Sequence, residues 1–254
     1  MCKLQSKNIF LRISGFCIVV FFMLGQGSVT AASFADHFDN GVFSDTDDTP
    51  AFWRISRGST ISRYILEVSE NIDDTTQNGR LSIATNQVQA SGIVSQMTSD
   101  FNFFNTPVLI DLKGISIESD DFLSSALLHV GLYSRNDRTS IAKHVRLAMV
   151  GDRAFLFSVR SKDGTTFPIS LKYDSPEVPE RVTLYIDDVE YRITFYFSGG
   201  GLFFAGEHGM TLEGWANGTG DAALFIGASS GFSSITTVGV DSIEVSDQNT
   251  LLCI

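Results

Sequence analysis

The sequence is poor in cysteine, with three in 254 residues. Cys2 and Cys17 lie in the N-terminal 32 residues, so only Cys253 is left if that segment is removed. A chain with a single cysteine cannot form an internal disulfide. Its stability must then come from the hydrophobic core and from any bound ion.

Basic residues are also scarce, at 18 against 29 acidic residues. The first 32 residues hold three basic and no acidic side chains, so the remainder has 15 basic and 29 acidic residues, a net charge of −14. So acidic a chain argues against nucleic acids and anionic membranes as partners. It also disfavours acidic polysaccharides, unless basic residues are concentrated locally.

Long apolar runs are absent except for Ile13–Leu24, which follows three basic residues and precedes small residues. This layout predicts a signal peptide over residues 1–32, cleaved after Ala31 or Ala32. Twelve apolar residues fall short of the roughly twenty that span a bilayer, although an uncleaved membrane anchor is the alternative. We therefore expect a secreted protein, extracellular or periplasmic, with no membrane span after cleavage and one domain over residues 33–254.

Helical periodicity is missing, whereas period-two alternation is frequent. Arg181–Phe197 is the clearest case: Val182, Leu184 and Ile186 share one face, and the alternation resumes at Val189 after an Asp187-Asp188 link. This pattern predicts a β-hairpin with one buried face. About a dozen such short runs separated by turn signals predict an all-β fold, a two-sheet antiparallel β-sandwich.

Several motifs occur in an order that resembles the concanavalin A-like lectin/glucanase superfamily, especially its laminin G-like modules. They are Phe34–Asp39, Trp53, Asn78–Ile83, Leu184–Tyr191, Leu224–Gly227 and Val240–Val245. The resemblance covers nearly the whole chain after residue 32 and implies a jelly roll of two curved sheets. In many relatives one face of that jelly roll holds a sugar chain. Trp53 is expected to be a core anchor.

Glycoside hydrolases of this superfamily carry Glu-x-Asp-x-Glu on a strand, because two carboxylates must flank the scissile bond. Glu118-Ser119-Asp120 supplies only the first half of that motif. The sequence also contains no nucleophile elbow and no phosphate-binding loop. We therefore expect a non-catalytic protein. A glycoside hydrolase or polysaccharide lyase with an unrecognised catalytic pair is the alternative.

A structural calcium ion is implied by the resemblance, since relatives join the first and last strands through one. Asp36, Asp39 and Asp241 occupy comparable positions here, and carboxylate oxygens are the ligands that calcium prefers. The alternative is that these are ordinary carboxylates at strand ends.

A candidate ligand site lies in the glycine-rich segment from Gly206 to Gly220. An exposed Trp215 could stack on sugar rings, with Glu207 and His208 binding hydroxyl groups. Tyr185 and Tyr196, on the polar side of the hairpin, could extend this platform. Trp215 could instead fill the edge of the core, and His129 is expected to be a satisfied core residue.

Three functions stay open from the sequence. The first is a secreted, lectin-like β-sandwich that binds carbohydrate or another surface ligand without catalysis. The second is an enzyme of the same fold, and the third is a structural or adhesive module of an envelope.

Overall fold

The computed structural model describes residues 34–47, 52–56, 66–72, 79–86, 88, 90–95, 101–119, 127–134, 144–150, 154–161, 166–172, 177–215, 220–231 and 234–247. All of them belong to one compact unit, Ala31–Ile254. The predicted signal peptide and Cys253 lie outside the described residues, and the signal peptide stays a prediction. Within the described residues no helix is long and apolar enough to cross a bilayer.

The described residues form strands that pair only in antiparallel fashion. In chain order these are β1 (Phe34–Asp36), β2 (Trp53–Ser56), β3 (Leu66–Ile72), β4 (Gly79–Thr85), β5 (Ser91–Ser95), β6 (Val108–Lys113), β7 (Ser116–Ser119), β8 (Leu127–Ser134), β9 (His144–Val150), β10 (Ala154–Arg160), β11 (Thr166–Lys172), β12 (Arg181–Ile186), β13 (Glu190–Phe197), β14 (Gly200–Glu207), β15 (Ala222–Ser229), β16 (Thr236–Val240) and β17 (Ser242–Asp247).

These strands form two large sheets and one small one. The six-stranded sheet has the order β1-β17-β6-β12-β13-β14, and the seven-stranded sheet has the order β11-β10-β9-β8-β15-β5-β2. The small sheet has the order β3-β4-β16-β7. The predicted all-β sandwich is confirmed, with the four-stranded sheet as an addition that the alternation pattern did not indicate.

The core lies between the two large sheets. The aromatic rings of Phe157 on β10 and Tyr191 on β13 stack across it with centroids 4.1 Å apart. Val182, Leu184 and Ile186 are buried in the same apolar cluster. Because successive side chains of a strand point to opposite faces, the intervening residues of both sheets face away from this core.

The predicted hairpin is confirmed as β12 and β13, but its turn is longer than expected. Val189 is 53% exposed and lies in the turn rather than on the apolar face. Oδ1 of Asp187 accepts hydrogen bonds from the backbone N–H groups of Val189 and Glu190, at 2.8 and 2.7 Å. An Asp side chain that binds the backbone two residues on replaces the tight two-residue link.

The chain passes from the small sheet to the six-stranded sheet at Asp241, which separates β16 from β17. The chain also passes from the six-stranded sheet to the small sheet at Gly114, between β6 and β7. Gly114 lies beside Asp241. Gly114 has φ 64°, and a Cβ there would lie 1.8 Å from Oδ2 of Asp241. Only glycine fits this position without displacing the Asp241 carboxylate.

Strand β11, which the alternation pattern did not indicate, contains Pro168. It forms one edge of the seven-stranded sheet, and edge strands tolerate proline since one side of the strand needs no partner.

Candidate functional site

Trp215 lies in the core. Its side chain is 0% exposed, its Nε1–H donates a 2.8 Å hydrogen bond to the carbonyl oxygen of Asp221, and its ring meets Phe103 edge-on at 5.1 Å. A buried indole cannot stack on a sugar ring. The predicted stacking role of Trp215 is therefore wrong in this structure, and the alternative of a core-filling residue describes it.

His208 is also buried, and both of its ring nitrogens have partners. Nε2 lies 2.8 Å from the carbonyl oxygen of Asp187 and must donate to it, so Nδ1 accepts the backbone N–H of Met210 at 3.0 Å. The imidazole thus holds the end of β14 against the hairpin turn. Glu207 ends β14 beside it and is exposed.

Tyr185 and Tyr196 lie on the side of the six-stranded sheet that faces away from the core, at opposite ends of the hairpin. The Tyr185 hydroxyl donates to Oδ2 of Asp187 at 3.0 Å, and the guanidinium of Arg192 covers its ring at 4.9 Å. Arg181 covers the Tyr196 ring in the same way. The structure therefore brings Tyr185 and His208 together around Asp187, while Tyr196 belongs to a different part of the sheet.

The three proposed calcium ligands do not meet. Asp36 is engaged by Trp53 and Phe38, whereas Asp241 accepts a 2.6 Å hydrogen bond from Nε of Arg80. Within the described stretches of chain no group of three His, Cys, Asp or Glu side chains could hold a metal ion. The described residues thus do not group Asp36, Asp39 and Asp241 as three ligands of one ion. The calcium clip stays a prediction, which melting with EDTA and with added Ca²⁺ tests.

A surface that the sequence did not single out lies on the seven-stranded sheet. Leu128, Val130 and Leu132 of β8 point into the core, so His129, Gly131 and Tyr133 point the other way. The surface formed by these residues and their neighbours on β9, β10 and β15 is called the outer face below. It consists of His129, Gly131, Tyr133, His144, Arg146, Ser158, Arg160, Phe225 and Ser229. Tyr133, Arg146 and Arg160 are partly exposed, and the other members are buried.

The register places the polar side chains of the outer face in adjacent rows. Tyr133 pairs with His144, which pairs with Arg160, while Gly131 pairs with Arg146 in the next row. Nη1 of Arg146 donates to the Tyr133 hydroxyl at 3.4 Å. The Tyr133 ring lies 5.4 Å from that of His144, so the row combines an aromatic surface with hydrogen-bonding groups.

Two histidine–serine pairs flank these rows. Nε2 of His129 lies 2.8 Å from Oγ of Ser229, and Nε2 of His144 lies 3.1 Å from Oγ of Ser158. Burial lowers the pKa of His129 well below its usual value, and the charge of Arg146 adds to this effect. His129 is therefore a neutral imidazole that can donate or accept a hydrogen bond.

Several hydrogen-bonding atoms of the outer face are unused. Nδ1 of His129 and the Nε atoms of Arg146 and Arg160 are buried and have no hydrogen-bond partner in the described part of the chain. His129 is 3% exposed, so the expectation of a satisfied core histidine holds for its burial and for Nε2 but not for Nδ1. Unpaired buried donors are costly, so each of these atoms calls for a specific explanation.

No protein-family model and no curated protein matches the chain. Several solved structures match the chain at probability 1.00. A protein of unknown function from Shewanella oneidensis MR-1 aligns with TM-score 0.52 at 12% identity, covering 85% of each chain. Arcelin-5, a lectin-like defense protein from Phaseolus vulgaris, aligns with TM-score 0.50 at 11% identity, over 77% of this chain and 97% of that one.

A third similar structure is the Bacteroides ovatus protein Xyloglucan PUL GH43B, with TM-score 0.50 at 13% identity, covering 84% of this chain and 38% of that chain. At such identities the likeness shows the fold alone. The fold is the concanavalin A-like jelly roll, which confirms the fold that the resemblance implies.

Proposed function

We propose that this protein is a secreted, non-catalytic carbohydrate-binding β-sandwich that binds its ligand on the outer face of the seven-stranded sheet. The observation that carries the proposal is the group of Tyr133 and His129 on β8 and Arg146 on β9, in which the Tyr133 hydroxyl accepts a hydrogen bond from Arg146 and buried nitrogens of Arg146 and His129 have no partner. Arcelin-5, which is lectin-like by name, has the same fold and supports a sugar ligand.

The chemistry of the outer face suits a sugar ring. Tyr133 lies between the rings of Phe225 and His144, at 4.7 and 5.4 Å, and is partly exposed. Aromatic rings pack against the C–H faces of sugars, while nearby donors and acceptors fix the hydroxyl groups. Arg146 on β9, whose side chain is partly exposed and donates to the Tyr133 hydroxyl, supplies such groups.

The absence of catalysis is inferred from the carboxylates. Glycoside hydrolysis by the usual route requires two carboxyl groups on either side of the scissile bond. The seven strands of this sheet contain no Asp and no Glu. A ligand that lies across these strands would therefore meet no strand-borne catalytic pair.

Affinity electrophoresis on a panel of neutral and acidic polysaccharides tests the proposal, with reducing-sugar release measured on the same panel. We expect retardation by at least one polysaccharide without release of sugar. Tyr133→Ala should weaken that binding at least tenfold, because the stacking surface is lost. Tyr196→Ala, a tyrosine on the opposite sheet, should change it less than twofold.

Three results would contradict the proposal. Sugar release would indicate a hydrolase, and binding to none of the polysaccharides would favour a structural or adhesive module. Loss of binding in Tyr196→Ala but not in Tyr133→Ala would move the site to the six-stranded sheet. Urea unfolding of each variant establishes that a loss of binding is not a loss of folding.

A further inference from the structure

Charged side chains are divided unequally between the sheets. The strands of the seven-stranded sheet carry Arg54, Arg146, Arg160 and Lys172 but no carboxylate. The strands of the six-stranded sheet carry six carboxylates and those of the small sheet carry three. The chain as a whole has 29 acidic and 18 basic residues, whereas the charged residues on the strands of the seven-stranded sheet are all basic.

The arginines of the other sheets are all neutralised. Arg181 forms a two-pronged ion pair with Asp111 at 2.8 Å for each prong, Arg192 pairs with Glu190, and Arg80 pairs with Asp241. In each of these three pairs a carboxylate balances the charge of the arginine.

The arginines of the seven-stranded sheet have no such partner. Among the described residues, none of Arg54, Arg146 and Arg160 forms an ion pair with a carboxylate. Arg54 is exposed, and the guanidinium groups of Arg146 and Arg160 belong to half-buried side chains with an unpaired Nε. A partly desolvated cation without a counter-charge is unfavourable, so an anionic ligand would gain more here than at an exposed arginine.

We propose that the outer face binds an anionic glycan, through contacts between its carboxylate or sulfate groups and the guanidinium groups of Arg146 and Arg160. This inference rests on the proposed carbohydrate-binding function and specifies its ligand class. Planar guanidinium groups bind such oxyanions through paired, charge-assisted hydrogen bonds. Gly131 pairs with Arg146 across β8 and β9, so no side chain of that neighbour covers the guanidinium.

The Tyr133 hydroxyl completes the site, since it lies 3.4 Å from Nη1 of Arg146. A phenol hydroxyl gives hydrogen bonds to hydroxyl or carboxylate oxygens without adding charge. The rest of the protein is strongly acidic and repels polyanions, so binding of an anionic chain must occur where the cations are concentrated.

The experiment compares matched chains that differ only in charge. Wild-type protein is titrated by isothermal calorimetry with oligogalacturonate and with its methyl ester, and with dextran sulfate and dextran. We expect one of the charged chains to bind at least tenfold more tightly than its uncharged counterpart. The carboxylate and sulfate arms identify which group the site prefers. Raising NaCl from about 0.05 to 0.5 M should weaken the charged interaction, because salt screens partly exposed charges.

Three variants locate the site. Arg146→Gln and Arg160→Gln should each weaken binding of the preferred charged chain at least tenfold, whereas Arg192→Gln on the six-stranded sheet should change it less than twofold. If both outer-face variants fail to fold, the comparison of charged and uncharged chains on wild-type protein still decides the ligand class.

The possible failures are distinct. Equal affinity for a charged chain and its uncharged counterpart would overturn the anionic ligand and leave the carbohydrate-binding function standing. A loss of binding in Arg192→Gln alone would overturn the outer face as the site. No binding to any of the four chains, nor to the wider panel above, would overturn the proposed function and this inference together.

Discussion

The indole Nε1–H of Trp53 donates a 2.7 Å hydrogen bond to Oδ2 of Asp36, and both side chains are buried. Asp36 ends β1 of the six-stranded sheet and Trp53 begins β2 of the seven-stranded sheet. The other carboxylate oxygen of Asp36 accepts the backbone N–H of Phe38 at 2.9 Å. One carboxyl group thus joins the first strands of the two large sheets.

Trp53→Phe should therefore destabilise the protein. The substitution keeps an aromatic ring in the core but removes the donor, leaving Oδ2 of Asp36 buried without a partner. We expect the free energy of unfolding in urea to fall by about 1.5–3 kcal/mol, the usual cost of losing a hydrogen bond to a charged group. Asp39→Asn, at an exposed carboxylate close by in the chain, should change it by less than about 0.5 kcal/mol. A Trp53→Phe value as small as the control value would show that the bond does not stabilise the fold.

Stability should also fall as the pH rises through the acidic range. Burial raises the pKa of Asp36 to about 6 and that of Glu70 to about 7, the latter with a contribution from the charge of Asp36. Because both pKa values lie above those of the unfolded chain, the folded state binds protons more tightly. This stabilisation is complete below about pH 4 and is lost as the pH rises through about 6 for Asp36 and about 7 for Glu70.

Glu70→Gln isolates one part of this effect, since the amide has no proton to lose in this range. We expect its free energy of unfolding to decrease less than that of the wild type between pH 4 and pH 7. The difference should be on the order of 1–2 kcal/mol, because a pKa unit corresponds to about 1.4 kcal/mol and solvent screens the partly buried carboxyl. Glu67→Gln, at an exposed position of the same strand, should follow the wild-type curve. Parallel curves for wild type and Glu70→Gln would refute the assignment.

Gly131→Ala should destabilise the centre of the seven-stranded sheet. A Cβ at this position would lie 2.3 Å from the carbonyl oxygen of Val145 and 2.7 Å from Cα of Arg146, so β8 and β9 would have to separate. We expect a loss of about 1–3 kcal/mol in urea unfolding, typical of overpacked interiors. Gly201→Ala on edge strand β14 is the matched control, since its nearest neighbour atom would be 3.6 Å away. That variant should be unchanged or more stable by up to about 1 kcal/mol, because alanine is less flexible than glycine in the unfolded chain. Equal melting temperatures for the two variants would show that the sheet adapts to the added methyl group.

The strands and their buried faces could be predicted because alternation is a local property. The hairpin of β12 and β13 and the burial of Trp53 follow from residue type and period, and both are confirmed. Local pattern did not predict the Asp187 turn, where a side chain accepts two backbone N–H groups, or the division at Asp241, where one alternating run enters two sheets. The Asp187 turn depends on side-chain hydrogen bonds, and the division at Asp241 depends on pairing with strands that are far away in sequence. Alternation along the chain records neither.

The candidate site was harder to predict because it is distributed over strands from separate parts of the chain. Trp215 was predicted to stack on a sugar because it is a large aromatic residue among glycines, yet it is buried and packs against Phe103. His129 was expected in the core, and its position on the outer face beside Arg146 follows only from the pairing of β8 with β9.

The sequence by itself determined the all-β class, the two-residue period of each strand and the overall acidity, since these depend on composition and near neighbours along the chain. Tertiary structure alone decided which strands share a sheet. That pairing places Arg54, Arg146 and Arg160 in one sheet, whose strands contain no carboxylate. The arginines that form ion pairs lie on the other two sheets. Charge segregation of this kind arises between strands that are far apart in sequence, and it becomes visible only when their hydrogen bonds bring them side by side.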